Sequence, residues 1–250
     1  MSQPYNFLVA HLKKDGLVQL PAVSASLREW FGQLGVDVDR FGSNKSGKVV
    51  KFSEKSYEKS LLASESGGVM LYSERIWPKD ECDESMNCNV SAIFLRSNGL
   101  LLSVADEVMS LDQLIESFWR LEGFAELFEY LYAYQETQGY GTGFGLGFYT
   151  PDESHPLMWK GRSQVGKWAA ATRNAVDVHY IRDVFEYNAF SEEKLNALPA
   201  QKQSALESVM DRFGERQLQN GWNVWRVTGA DQQDARKELI ASDVLAAFVS

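Results

Sequence analysis

Residues 90–104, VSAIFLRSNGLLLSV, form the centre of the predicted fold, because two apolar runs flank a short polar turn. The turn Ser97–Gly99 is typical of a tight hairpin, because Asn and Gly tolerate the positive φ that such a turn requires. We therefore predict antiparallel strands at Val90–Arg96 and Gly99–Val104. A further apolar run at Val69–Ile76 predicts a third strand just before them.

The segment after the hairpin carries the clearest helix signal in the chain. Ser110, with Gln113 three residues later, forms the capping-box pattern that starts a helix, and apolar residues recur at helical spacing as far as Leu121. A second stripe with the same spacing, Phe124–Leu131, would lie on nearly the opposite side of one continuous helix. The sequence therefore predicts a break near Glu122–Gly123 and two helices that share one core.

The remaining segments mix strand and helix signals without a regular strand–helix–strand repeat. Strands are predicted at Tyr5–Leu12, Lys48–Phe52, Val176–Phe185 and Trp222–Val227. Helices are predicted at Ser24–Leu34, Ser53–Ser64, Ser163–Asn174 and Pro199–Gln219, and a polar loop is predicted at Asp37–Lys48. Asp231–Phe248 is predicted as one helix or as a pair of short helices. This order favours an α+β fold, a largely antiparallel sheet with packed helices. We expect a single globular domain over residues 1–250, with a subdivision near residues 105–110 as the alternative.

Composition and charge narrow the class of function. The chain has 250 residues, of which 44% are hydrophobic and 24% charged, as in ordinary globular proteins. The net charge of −9 repels phosphate backbones and anionic lipid, so we expect neither a nucleic acid nor a membrane as partner. The same charge would attract a basic protein partner, although many cytosolic proteins are acidic for solubility alone.

Two features bear on the compartment. Met1–Leu12 lacks the basic and then apolar order of a secretory signal. Cys82 and Cys88 agree with a reducing environment, in which we expect them to be thiols. The mean hydropathy is −0.30, and no apolar run approaches the roughly 20 residues that a membrane-spanning helix needs. We therefore expect a cytoplasmic protein.

The most unusual segment is Gly139–Thr150, in which glycine alternates with aromatic, apolar or threonine residues. Period two is the period of a strand, and one face of this strand would be bare backbone. No register gives the phosphate-binding patterns GxGxxG or GxxxxGKS/T, and Pro151 interrupts the chain before a helix could begin. The role of Gly139–Gly147 stays open. One option is a strand that pairs copies of the chain into a homo-oligomer.

Residue types that support catalysis or metal binding are sparse. The three histidines form no HExxH motif and no histidine lies near the two cysteines, so the sequence predicts no metal site and no cofactor. Asp177, His179 and Asp183 would share one face of a strand, and they are the nearest approach to a catalytic carboxylate–histidine group. A structural Arg182–Asp183 ion pair accounts for the same residues. An enzyme built on this group is therefore the alternative to a binding protein.

Several segments follow one another in a distinctive order. They are an amphipathic helix with Phe118 and Trp119, the glycine-aromatic run Gly139–Phe148, a helix around Trp168, residues 178–195, and the strand Trp222–Val227 with the helix after it. Over about the last 140 residues, this order resembles the bacterial immunity proteins found beside type VI secretion effectors and contact-dependent toxins. The resemblance implies a protein that neutralises a cognate toxin or effector by direct binding and has no chemistry of its own. It assigns no functional residues.

Two acidic loops are the predicted partner-binding surface, because carboxylates would steer a basic toxin and aromatic side chains would anchor it. The first loop, Pro78–Asn89, has Trp77 at its mouth and carries Asp80, Glu81, Asp83 and Glu84. The second loop, Asp183–Glu193, is favoured because it combines both residue types: Asp183, Glu186, Tyr187, Phe190, Glu192 and Glu193. The alternative is an ordinary solvated loop whose aromatic residues fold back into the core.

Overall fold

A computed structural model describes residues 4–13, 18–62, 67–73, 88–96, 99–136 and 179–245. The chain divides into two compact units: unit 1 is Met1–Leu127 with Gln135–Phe144, and unit 2 is Phe128–Tyr134 with Gly145–Ser250. The strand ladders described in each unit are antiparallel, and helices accompany them. The predicted α+β fold with a largely antiparallel sheet is confirmed. The expected single domain over residues 1–250 stays a prediction.

Unit 1 contains a six-stranded antiparallel arrangement in the order β3-β2-β4-β5-β6-β1. Its strands are β1 (Tyr5–Leu12), β2 (Arg40–Gly42), β3 (Val49–Lys51), β4 (Gly68–Tyr72), β5 (Val90–Leu95) and β6 (Gly99–Ala105). The predicted hairpin is confirmed, because β5 pairs with β6 and Leu95 lies opposite Gly99. Both strands are almost wholly buried, which explains why their sequences read as continuous apolar runs. Strand β2 lies inside Asp37–Lys48, so the prediction of a loop is wrong for that part of the segment.

Three helices pack within unit 1: α1 (Leu20–Gln33), α2 (Glu54–Leu61) and α3 (Leu111–Trp119). The start predicted for α1 at Ser24 is wrong, because Ser24 is buried inside the helix and shares a 2.6 Å hydrogen bond with the Tyr57 hydroxyl. Trp30 Nε1 donates to Ser117 Oγ at 2.8 Å and ties α1 to α3. The capping box at the start of α3 is confirmed in both of its hydrogen bonds.

The second helix predicted at Phe124–Leu131 is wrong. The break near Glu122–Gly123 is present, with Gly123 at φ +67°, but the chain then forms a short 3-10 turn, Phe124–Leu127, and strand β7, Phe128–Glu136. An aromatic residue stands at every second position of β7 from Phe128 to Tyr134. This alternation fits the two-residue period of a strand as well as the apolar stripe fits the period of a helix. Pairing with neighbouring strands decides between the two structures.

Unit 2 contains four antiparallel strands in the order β7-β8-β10-β9. They are residues 128–134 of β7, β8 (Tyr187–Phe190), β9 (Glu215–Gln219) and β10 (Trp222–Arg226), which confirms the strand predicted at Trp222–Val227. Helices α4 (Glu192–Ala197), α5 (Ala200–Arg212) and α6 (Gly229–Ala241) complete its described part. Trp225 Nε1 donates to the Phe213 carbonyl at 2.7 Å and joins β10 to the end of α5.

Two segment predictions in unit 2 need correction. The helix predicted at Pro199–Gln219 ends at Arg212, because Gly214 takes φ +75° and the chain turns into β9. The strand predicted at Val176–Phe185 is reduced, in its described part, to one isolated bridge between Ile181 and Leu245. The predicted helix at 163–174 and the glycine segment at 139–147 lie outside the described residues. Within the described part of the chain, no helix has both the length and the apolar character to cross a bilayer.

Candidate functional site

The segment Asp183–Glu193, favoured as a partner-binding loop, is mostly regular structure. Tyr187–Phe190 form strand β8, which lies between β7 and β10. Ser191 then caps α4, with its Oγ accepting a hydrogen bond of 3.1 Å from the Lys194 amide. The loop prediction is therefore wrong as local structure. The binding role of its residues is a separate matter and stays a prediction.

The aromatic residues of this segment face the interior of unit 2. Phe185 stacks on Tyr132 with ring centroids 4.3 Å apart and planes 9° apart. Phe190 stacks on its cross-strand neighbour Tyr130 at 5.1 Å and 7°. Tyr187 is 1% exposed and lies under the guanidinium of Arg226, 5.1 Å from the ring centroid. These rings contribute to the packing of unit 2, and a partner could reach them only after rearrangement.

A buried arginine lies beside the tyrosines of β7. Arg182 is 2% exposed, and its side chain hydrogen-bonds to the Tyr132 hydroxyl. Burial lowers the pKa of Arg182 to about 10, while the neighbouring Tyr132 and Asp183 act to raise it. Burial likewise raises the pKa of Tyr130 and Tyr132 above the ordinary value of 10.0. The cluster of Arg182, Tyr130 and Tyr132 therefore keeps neutral phenols around a desolvated cation at neutral pH.

Asp183 is bound to Arg236, and its carboxylate also acts to raise the pKa of the adjacent Arg182. The structural Arg182–Asp183 ion pair stays a prediction. Arg236 Nε donates to Asp183 Oδ1 at 2.7 Å and Arg236 Nη2 donates to Oδ2 at 2.9 Å. The Asp183 side chain is 1% exposed and that of Arg236 15% exposed. The Val184 amide also donates to Asp183 Oδ1 at 2.8 Å. This bidentate geometry joins α6 to the segment before β8.

The described residues include only part of the proposed catalytic group of Asp177, His179 and Asp183. Asp177 lies outside them. His179 is exposed, with its Nδ1 lying 2.9 Å from the Ala197 carbonyl oxygen, whereas Asp183 is buried against Arg236. Among the described residues, no three His, Cys, Asp or Glu side chains cluster as metal ligands would.

The exposed part of the favoured segment is acidic. Glu192 and Glu193 are exposed in the first turn of α4, and Glu186 is half-buried before β8. Carboxylates at a helix N-terminus are favourably placed with respect to the helix dipole, so this placement also has a structural reason. The first acidic loop, with Trp77, Asp80, Glu81, Asp83 and Glu84, lies outside the described residues. At its end, Cys88 and Asn89 are buried.

Sequence reasoning missed two parts of the buried cluster. The helix prediction covers Tyr130, the first tyrosine of β7, and no sequence pattern singles out Arg236. The alternation of Tyr130, Tyr132 and Tyr134 is the signal that could have revealed the strand and its aromatic face. No local signal pairs Arg236 with Asp183, because the two residues are distant in sequence and meet only in the fold.

Neither a protein-family model nor a curated protein sequence matches the chain. Among solved structures, the chain is similar to the Pseudomonas aeruginosa T6SS protein PA0821, with a TM-score of 0.51 and 13% sequence identity. The similarity covers 95% of this chain and 77% of that chain. At this identity the likeness shows a shared fold. It does not carry residue roles from one protein to the other.

Proposed function

We propose that this chain is a type VI secretion-associated binding protein, and in particular an immunity protein that neutralises a cognate effector in the cytoplasm. One observation carries the proposal: 95% of the chain matches the fold of a T6SS protein. The order of segments in the second half resembles immunity proteins independently of that comparison. A fold supports many functions, so the proposal needs a direct test of binding.

The charge of the molecule agrees with such a role. The net charge is −9, and the exposed Glu192 and Glu193 place two negative charges at the start of α4. A basic effector would be drawn to this surface, and electrostatic steering acts mainly on the rate of association. Tyr187 and Phe190 are buried, so they could anchor an effector only after a rearrangement of unit 2.

The first test is co-expression of the chain with the product of the adjacent gene in a sensitive bacterial host. We expect rescue of growth and a stable complex on size-exclusion chromatography. Growth arrest without rescue, together with separate elution of the two proteins, would overturn the proposal.

The second test locates the surface by reversing charge at α4. Glu192→Lys with Glu193→Lys should slow association several-fold at low salt, and the difference should disappear near about 1 M salt, where the Debye length is about 3 Å. The matched control is Glu122→Lys with Glu126→Lys, two carboxylates of unit 1 that lie between α3 and β7. Equal association rates for the two double variants would exclude the α4 surface while leaving the binding function itself to the first test.

A further inference from the structure

Strand β9 has an open edge in the described part of unit 2. It lies at the end of the strand order, and its one described neighbour is β10. Four of its five residues are exposed, and Leu218 is 75% exposed. The other exposed large apolar side chains described, Leu62 and Val108, do not lie in strands. An edge strand that has no described neighbour on its outer side and that carries an exposed leucine is a template for another strand.

The turn between β9 and β10 determines which backbone groups face that edge. Asn220 and Gly221 have φ values of 51° and 80°, as a two-residue type I′ turn requires. The flanking pair Gln219–Trp222 is therefore hydrogen-bonded, and the alternation of an antiparallel ladder makes Gln217–Val224 the next such pair. It follows that the N–H and C=O groups of Arg216 and Leu218 point away from β10.

We propose that this edge pairs antiparallel with the same edge of a second copy of the chain, around a two-fold axis at Gln217. In this register, Arg216 lies opposite Leu218 of the second copy, and Leu218 opposite Arg216 of the second copy. Both residues present their backbone groups outward, so the two pairs form about four new hydrogen bonds. Gln217 meets Gln217 of the second copy at the axis.

The side chains of β9 are complementary in this register. Glu215 lies opposite Gln219 of the second copy, so no like charges stand directly opposite each other. The two copies of Leu218 become diagonal neighbours on one face, within reach of each other. The two copies of Arg216 are also diagonal. Each guanidinium lies 2.9 Å from its own Asp211 carboxylate, which offsets the repulsion between them.

The charged residues of β9 do not prevent its edge from pairing with another strand. Charged residues on an edge strand commonly prevent pairing. Here Arg216 also donates to Asn223 Oδ1 at 3.2 Å, so its guanidinium is held back over its own unit. The strand has five residues, which gives a small interface and a weak, concentration-dependent dimer. This inference is independent of the proposed function, since it concerns the chain alone.

The test uses the full chain and a pair of charge variants at the axis. Sedimentation velocity on the wild type should show a species of twice the 28.2 kDa chain mass whose fraction rises with concentration. Gln217→Lys and Gln217→Glu each place like charges opposite one another, so each variant alone should be monomeric. Mixed in equal amounts, the two variants should form a heterodimer. Gln201→Lys, at an exposed glutamine of α5, is the matched control and should dimerise like the wild type.

Three results would overturn the proposal. They are a wild type that stays monomeric up to its solubility limit, a Gln217→Lys variant that dimerises as the wild type does, and an equal mixture of the two charge variants that stays monomeric. Gln217 is exposed, so both variants should fold, and matching far-UV circular dichroism spectra would establish this before the sedimentation result is read.

Discussion

Replacement of Asp183 by Asn tests whether the ion pair with Arg236 holds unit 2 together. The substitution keeps the size of the side chain and an oxygen that can accept the Val184 amide, but it removes the charge that faces the guanidinium. Breaking a buried pair by removing one partner typically lowers the free energy of unfolding by about 3–5 kcal/mol. Because the Arg236 side chain is 15% exposed and can reach water, we expect the lower end, about 3 kcal/mol.

Urea unfolding measures this loss. With a slope of about 2–3 kcal/mol per molar urea, the midpoint should fall by about 1–1.5 M. Asp234→Asn is the matched control on α6, the helix that carries Arg236, since Asp234 pairs with Lys237 at 2.8 Å but the two side chains are 54% and 73% exposed. An exposed pair of this kind contributes no more than about 1 kcal/mol.

A double-mutant cycle separates the pair from its surroundings. Arg236→Met strands the buried Asp183 carboxylate and should also be strongly destabilising. The double variant should then lose less stability than the sum of the two single losses, because the partners are coupled. A midpoint for Asp183→Asn no lower than that of Asp234→Asn would refute the assignment of a stabilising role to this pair.

Two further predictions concern pH and backbone geometry. Burial raises the pKa of Tyr72, Tyr130 and Tyr132, so the stability that these groups contribute below pH 10 should be lost as the pH rises further. The lowered pKa of Arg182 changes stability in the opposite direction, but the effect of the three phenols is larger. Urea midpoints at about pH 8 and pH 11 check this, and equal midpoints would contradict it. Gly214→Ala should lower the melting temperature more than Gly221→Ala. Both positions have positive φ, but only at Gly214 would a Cβ lie 2.1 Å from the Arg226 oxygen. Equal shifts would disprove the clash.

Local sequence signals predict much of unit 1. The β5–β6 hairpin follows from its turn chemistry, and the start of α3 follows from Ser110 and Gln113, because both signals act between residues close in sequence. The aromatic segment from Phe128 is predicted wrongly for the same kind of reason. Its residues fit a helical stripe and a strand alternation at once, so local pattern alone could not decide.

The α+β class, the acidic charge and most element positions can be read from the sequence, since these depend on composition and near neighbours. Other features depend on long-range packing. Phe185 stacks on Tyr132, and Phe190 stacks on Tyr130. These contacts use the tyrosines on one face of β7, which the alternation of a strand places side by side. Asp183 finds Arg236 through the packing of α6, which no spacing rule reveals. Tyr187 and Phe190, predicted as aromatic anchors for a partner, are buried because strand pairing, a long-range interaction, fixed the direction in which each side chain points.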